Sequence, residues 1–332
     1  MTNGSQLSAA VVGATGYGGQ ELVRLLARHP RVRLTAALAS GQTDAPRRLP
    51  GLARLWDGDV NSYAPEALHG CDVVFLGAPE AFAGTAAPDL LARGHKVIDL
   101  SGAFRLTDHA LRQRFYPATT TLPEGTLYAL PELTPASAWD DWRLISCPGC
   151  YPTASLLALQ PLTTAGLLAG DVIVDAKSGM SGAGKSPSDR THFSENHGSV
   201  SAYALFGHRH TPEMEQGLGL PVTFTPHLVP LDRGILSTMY ARLAPGTTAA
   251  QVSEVLTAAY AQAFFVRLTG DRLPEIKHVA HTNFCDIGWR VDEATGRIIL
   301  VSVIDNLLKG AAGQAIQNMN LGYGFGETEG LI

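Results

Sequence analysis

Residues 13–19 read Gly13-Ala14-Thr15-Gly16-Tyr17-Gly18-Gly19, a GxxGxxG run between the apolar stretch LSAAVVG (7–13) and a segment with Leu22, Leu25 and Leu26 at helical spacing. No other feature narrows the fold as much. Glycines alone say little. At a strand-to-helix junction they let backbone approach a pyrophosphate, while the helix N-terminus offers free N–H groups and a positive dipole end. The pattern continues as alternation: VRLTAALA (32–39), DVVFLGAP (72–79) and HKVIDLS (95–101) read as strands, and 81–93 as a helix. Strands alternating with helices predict a parallel sheet with crossover helices, an α/β fold.

The second half is patterned differently. DVIVDAK (171–177), PVTFTPHLVP (221–230), GILSTMYARL (234–243) and RIILVSVI (297–304) are strand-like with period-2 stretches, and helical patterns are confined to 154–165 and 249–263. A mixed or antiparallel sheet in a second domain is expected. A last helix, 307–322, is rich in small residues and suits close packing back on the first domain.

Composition bounds the function. Apolar residues make up 45% of 332, enough for sizeable cores, and the length suits about two domains. The net charge of −5 gives no basic footprint for nucleic acid or a membrane surface, and no apolar run approaches a membrane span. The opening MTNGSQLSAA lacks a basic segment ahead of an apolar one, so no signal peptide is expected, and a cytoplasmic enzyme acting on a small molecule is the natural reading. The cofactor follows from the end of the second strand. An NAD site places an acid there. Here Ser40 stands in that place, with Arg47 and Arg48 following, a set that suits a 2′-phosphate; NADP(H) is expected over NAD(H).

Four cysteines are present. Cys71 and Cys285 adjoin apolar runs and read as buried hydrophobes. Cys147-Pro148-Gly149-Cys150 precedes a helical pattern, and a cysteine at a helix start has its thiolate stabilised, as an acyl-accepting nucleophile requires. A redox dithiol, half a zinc site, or one nucleophile with a bystander all remain open on this evidence, although no second ligand pair with zinc spacing is evident.

GATGYGGQEL (13–22), VIDLSGAFRL (97–106), PGCYPTA (148–154), DAKSGMSGAGK (175–185), GHRHTPE (207–213) and IDNLLKGAAGQAIQNMNL (304–321) resemble, nearly end to end, the N-acetyl-γ-glutamyl-phosphate reductases, relatives of the aspartate-semialdehyde dehydrogenases. The resemblance implies a Rossmann dinucleotide-binding domain of residues 1–149 and 305–332. It implies a glyceraldehyde-phosphate-dehydrogenase-like α+β catalytic and dimerisation domain of residues 150–304. It also implies an acyl-phosphate reduction through a thioester on Cys150. His210 would be the acid/base, with His208 or Glu213 in support. The cofactor would be held by Gly13, Thr15, Gly16, Tyr17, Gly18, Ser40, Arg47, Ala78, Pro79, Ser101, Ser178, Gly179 and Asn306, the last of which alternatively caps the following helix. Arg105, Ser181 and Arg209 would bind substrate, with Arg233 a further candidate and no metal involved. A homodimer or homotetramer is implied.

Three places depart from the family pattern. They are the loop Leu76–Ala81, Cys147 ahead of PGC, and the stretch His192–Ser201, which reads as a loop. If Cys147 lies within disulfide reach of Cys150, oxidation would silence the nucleophile. The nearest rivals are a carrier-linked aminoadipyl-phosphate reductase, against which Cys150-Tyr151-Pro152-Thr153 argues, and a non-enzymatic NADPH sensor.

Overall fold

The computed structural model describes residues 6–332; Met1–Ser5, on which the expectation about a leader partly rests, lie outside the described residues. The chain divides into two compact units. One runs to Pro148 and takes in Ala311–Ile332; the other is Gly149–Gly310.

In the first unit the apolar runs become short buried strands. They are β1 (Leu7–Val12), β2 (Val32–Ala39), β3 (Val60–Ser62), β4 (Val73–Leu76), β5 (Lys96–Asp99), β6 (Thr126–Tyr128) and β7 (Leu144–Ser146). All pair in parallel, in the order β3-β2-β1-β4-β5-β7-β6. The crossovers include α1 (Tyr17–Leu26), α2 (Glu80–Ala92) and α3 (His109–Phe115). β1 and β4 are buried almost throughout, which is why they read as continuous apolar runs rather than alternations. Val12, Leu38, Val74, Leu76, Leu90, Val97 and Phe104 share one core. The strand order reverses beside β1, which places a topological switch point between the loops that follow β1 and β4.

The second unit begins with α4 (Cys150–Thr164), followed by β8 (Leu168–Gly179), α5 (Phe193–Asn196), β9 (Ser201–Ala202) and α6 (Thr211–Leu218). Then come β10 (Val222–Val229), β11 (Ile235–Leu243), α7 (Ala249–Ala259), β12 (Val266–Leu268), β13 (Cys285–Asp292) and β14 (Arg297–Ile304). The sheet is mixed, in the order β12-β13-β14-β11-β8-β10-β9. α4 is buried on every side from Tyr151 to Leu159, and packs against α6, α7 and β8, β11 and β14.

Several boundaries differ from the sequence expectation. The helix expected over 154–165 starts at Cys150, because Gly149 caps it and Pro152 sits in the first turn, where its missing N–H costs nothing. The helix expected over 307–322 divides into a π-helical turn, Leu308–Ala312, and α8 (Gly313–Gly322). Gly310 N–H donates to the Asp305 carbonyl at 2.9 Å, the five-residue step of a π turn. α8 lies in the first unit, where Asn320 meets His29 at 2.9 Å and the Gly322 carbonyl accepts from Trp142 at 3.0 Å. The stretch His192–Ser201 contains α5 and reaches the two-residue strand β9, which pairs with β10.

Candidate active site

The glycine loop of the first unit is shaped by contact. Gly13 has φ +91, and a Cβ there would lie 2.2 Å from the Gly77 carbonyl oxygen. A Cβ on Gly19 would lie 2.1 Å from the Gly13 carbonyl oxygen. Gly13 therefore lets the loops after β1 and β4 close on each other, and Gly19 lets the start of α1 close on its own loop. Gly18 is different: nothing stands within 4 Å of its Cβ direction. Gly16 caps α1 with no side-chain hydrogen bond, and no acidic residue stands in the first turn. Free N–H groups, open space and no competing carboxylate fit a pyrophosphate. Tyr17 is half-exposed at the first helical position, and the Thr15 carbonyl accepts from Gln20 at 3.0 Å. Ala78 is partly exposed and Pro79 exposed in the loop after β4, Pro79 as the cap of α2.

At the end of β2, Ser40 is partly exposed and Arg47 exposed. The Arg47 backbone pairs with Val60, which leaves its guanidinium for solvent or ligand. Arg48 is committed to Asp59, at 2.7 Å, and to the Asp57 carbonyl.

Behind the loops a buried polar knot forms. The Asp99 carboxylate accepts from the Ser101 N–H at 3.0 Å and the Ser101 hydroxyl at 2.9 Å. Burial lifts the Asp99 carboxyl to about 6, against the Ser101 hydrogen bonds and the Arg105 charge. Arg105 is itself buried; its Nε donates to the Cys147 carbonyl and a terminal nitrogen to the Leu100 carbonyl, both at 2.9 Å. Cys147 is shut in this knot, with Asn318 3.4 Å from its sulfur.

In the second unit, Cys150 occupies the first position of α4 and is partly exposed. Its neighbour is pinned: the Gly149 N–H donates to Glu213 Oε1 at 2.8 Å, and Glu213 is fully buried in α6. The same helix brings the histidines. His210 caps α6, and its N–H donates to His208 Nδ1 at 3.0 Å, so His208 carries its proton on Nε2 when neutral. Burial, helped by Arg209, pushes His208 down to about 4. Tyr151 stands edge-on to both rings, at 5.8 Å from His208 and 5.9 Å from His210. Helix start, pinned glycine and imidazole pair are the parts that thiol nucleophilic catalysis with proton transfer requires.

The remaining candidates in this unit are tied to one another. Asn306 Oδ1 accepts from the Gly234 N–H at 2.7 Å and its amide donates to Ser181 Oγ at 2.9 Å. Ser181 donates to the Asp232 carbonyl at 2.6 Å and Ser178 to the Gly179 carbonyl at 3.0 Å. Asn306 is not the cap of the following turn. Asp305 fills that role, accepting from the N–H groups of Leu307 and Leu308 at 2.8 and 3.0 Å, because its side chain is one residue better placed. Arg233 faces Asp305 at 3.5 Å and Asp232 at 3.8 Å. Gly179 packs so tightly on the Arg233 backbone that a Cβ would approach its nitrogen to 2.9 Å.

All four cysteines are free, and among the described residues no group of three or more His, Cys, Asp or Glu is placed to hold a metal. Among those residues no helix is long and apolar enough to cross a membrane. Sequence reading missed the Glu213–Gly149 anchor, since nothing in a string relates residues 64 apart. It also passed over Arg190, which sits in the polar run 186–192 and stacks on Tyr203 at 4.9 Å.

Comparison with known proteins agrees with this layout. Residues 8–139 match the semialdehyde dehydrogenase NAD binding domain and 150–306 the semialdehyde dehydrogenase dimerisation domain. Solved structures with the same fold include aspartate semialdehyde dehydrogenase II complexed with ASA from Vibrio cholerae. It has a TM-score of 0.74 at 20% identity, covering 96% of this chain and 98% of that one. Another is aspartate semialdehyde dehydrogenase with NADP from Candida albicans, with a TM-score of 0.70 at 18% identity and coverage of 96% and 98%. The chain is thus of the semialdehyde dehydrogenase class, an α/β nucleotide-binding unit followed by a mixed-sheet unit.

Within that class the sequence is more specific. It is 44% identical to N-acetyl-gamma-glutamyl-phosphate reductase of Shouchella clausii over 98% of both chains. It is 43% identical to the protein of that name from Pelotomaculum thermopropionicum, over 98% of this chain and 97% of the other. The chain belongs to the N-acetyl-γ-glutamyl-phosphate reductase family.

Proposed function

We propose that the chain catalyses the NADPH-dependent reduction of N-acetyl-γ-glutamyl phosphate to N-acetylglutamate 5-semialdehyde with release of phosphate, a step of arginine biosynthesis. The observation that carries the reading is Cys150 at the start of a buried 15-residue helix, its preceding N–H held by Glu213 and His208 and His210 beside Tyr151. The Cys150 thiolate attacks the γ-carbonyl, the C–O bond to phosphate breaks, and a thioester remains. Bound NADPH supplies the hydride that reduces this thioester. The resulting oxyanion expels the Cys150 sulfur, freeing the aldehyde and the thiolate. A thioester accepts hydride more readily than a carboxylate, so one hard reduction becomes two accessible steps.

His210 is the group that moves protons at the carbonyl oxygen, and His208, neutral at physiological pH, orients it through the 3.0 Å backbone contact. In the first unit Gly13, Thr15, Gly16, Tyr17 and Gly18 would hold the pyrophosphate and Ser40 and Arg47 the 2′-phosphate, with Ala78, Pro79 and Ser101 as that unit's further cofactor contacts; Ser178, Gly179 and Asn306 are the cofactor candidates of the second unit. Of the substrate candidates, Ser181 and Arg209 belong to the second unit and Arg105 to the first, where it would grip the phosphate with the part of its guanidinium not already donating to the Cys147 and Leu100 carbonyls. A free thiol nucleophile needs a reducing compartment, which favours the cytoplasm.

The enzyme works as a homodimer or homotetramer built on the outer face of the second sheet. Ile173, Tyr240 and Ile299 lie in register across β8, β11 and β14, at 43, 40 and 42% exposure. Asp171, Arg242 and Arg297 flank them, charges that a two-fold axis can pair. Tyr240→Glu should lower the sedimenting mass, and an unchanged mass would remove this face from the assembly.

The activity test is direct. Purified chain with N-acetylglutamate semialdehyde, phosphate and NADP should produce NADPH, and Cys150→Ser should abolish it. Preference for aspartate semialdehyde, or for NAD over NADP, would defeat the reading.

A further inference from the structure

The second unit contains a cleft of about 570 Å³ lined by Gly182, Asp189, Arg190, Tyr203, His208 and Arg209 among others. Tyr203 ties it to the nucleophile. Its hydroxyl is 3.2 Å from that of Tyr151, the residue after Cys150, and both phenols feel the charge of the Cys150 sulfur. Arg190 stands over the Tyr203 ring, its guanidinium carbon 4.9 Å from the ring centroid. The turn that carries Arg190 is locked. Ser188 and Thr191 form a reciprocal cap, with Ser188 N–H donating to Thr191 Oγ1 at 3.1 Å. Among the described residues no carboxylate pairs with Arg190; its adjacent acid, Asp189, leaves the guanidinium to the aromatic ring. A guanidinium stacked on a tyrosine keeps its edge for a planar anion, and a carboxylate suits that edge in bidentate fashion.

We propose that Arg190 is a specificity residue of this site, binding the α-carboxylate of the acyl substrate over the Tyr203 ring, with Arg209 on the same cleft. The inference rests on the proposed function. The substrate has two anionic ends. Its phosphate is bonded to the carbonyl that Cys150 attacks and so must lie beside the sulfur. Its α-carboxylate is four carbon–carbon bonds further along the chain, and Arg190 meets the ring of Tyr203, whose hydroxyl in turn meets Tyr151, the residue after Cys150. Position therefore assigns the carboxylate, rather than the phosphate, to Arg190. Loss of such a charge-assisted contact weakens binding by about tenfold or more.

The reverse reaction separates the two ends, because aldehyde and phosphate are added independently. Arg190→Ala should raise the KM for N-acetylglutamate semialdehyde at least tenfold while the KM for phosphate stays within twofold. Arg190→Lys, which keeps charge and loses the fork, should fall between. N-acetyl-4-aminobutanal, the same aldehyde without its carboxylate, should be a poor substrate for the wild type and equally poor for Arg190→Ala. A raised phosphate KM in Arg190→Ala, or undiminished discrimination between the two aldehydes, overturns the assignment. A wild-type chain that oxidises neither aldehyde overturns the reading beneath it, whereas an active wild type with an unchanged Arg190→Ala removes only the role of Arg190.

Discussion

Gly310 tests how closely the nucleophile is framed. It lies in the π turn after β14, and a Cβ built on it would stand 2.8 Å from Cys150 Cβ, 3.2 Å from Ile304 Cδ1 and 3.3 Å from Cys150 Cα. Ordinary carbon contact begins near 3.4 Å, so Gly310→Ala must push the Cys150 backbone and side chain away by about 0.6 Å. The Ile304 tip can swing aside, but the nearest neighbour, Cys150 Cβ, and the Cys150 Cα behind it are fixed to the backbone and cannot. Overpacking of a filled interior costs about 1–3 kcal/mol. A melting temperature several degrees lower is expected. The catalytic cost should be larger in proportion, since a displacement of about 1 Å at a reacting atom can lose a factor of about 100. We expect kcat to fall about tenfold or more. Alkylation of Cys150 by iodoacetamide, which demands no such alignment, should change by less than threefold. Gly51→Ala is the control, because nothing stands within 4 Å of that Cβ. Wild-type kcat and melting temperature in Gly310→Ala would refute the close approach of the π turn to the nucleophile.

Three further outcomes follow from the site. His210→Gln should cut kcat by about 100-fold or more and His208→Gln by much less, since His208, pushed down to about 4, is not an imidazolium and so not a general acid at neutral pH; equal mild losses would retire the assignment. Burial raises the Asp99 carboxyl from 3.8 to about 6, so the protonated form favours the fold: that contribution is complete below about pH 4 and lost as pH rises through about 6. The gap corresponds to about 3 kcal/mol, and denaturant titrations should show wild-type stability falling over that window relative to Asp99→Asn; parallel curves would contradict it. Arg47→Ala should raise the NADPH KM about tenfold and leave NADH unaffected, whereas Arg48→Ala, already paired with Asp59, should do little; a loss confined to Arg48→Ala would reverse the assignment.

Much of the fold was legible because buried parallel strands leave an unambiguous signature. LSAAVVG and DVVFLGAP are apolar at consecutive positions, which only burial on both faces explains. β13 was hidden for the opposite reason. Its core includes Asp286, fully buried and matched by Arg267 at 2.5 Å, and a charge within a strand masks the period that would reveal it. β6, β7 and β12, at three residues each, are too short to display any period. In the site, the glycine loop and the cysteine at a helix start were readable because both depend on neighbours in sequence. Glu213 on Gly149 and Arg190 on Tyr203 were not, because each depends on a distant chain segment.

The two cysteines of Cys147-Pro148-Gly149-Cys150 show how three residues separate an inert thiol from a nucleophile. Cys147 follows β7, and its N–H donates to the Asp99 carbonyl at 2.8 Å, so its side chain is carried into the first unit and is 1% exposed. Burial pushes its thiol up to about 12; Asn318 and Arg105 pull down and Asp99 pushes up, but these do not offset the desolvation. At pH 7 the Cys147 sulfur therefore stays a thiol. Cys150 stands instead at the open end of α4, where the cap has no side chain and the first-turn N–H groups face an anion. A thiol so buried and so rarely ionised is a poor partner for a disulfide with Cys150. Peroxide should therefore inactivate the enzyme by oxidising Cys150 to the sulfenic acid alone. Cys147→Ser should lose activity in peroxide at the wild-type rate, and dithiothreitol should restore both proteins equally. Protection of Cys147→Ser, or a mass two units lower in the oxidised wild type with no added oxygen, would show that the buried thiol is reached after all.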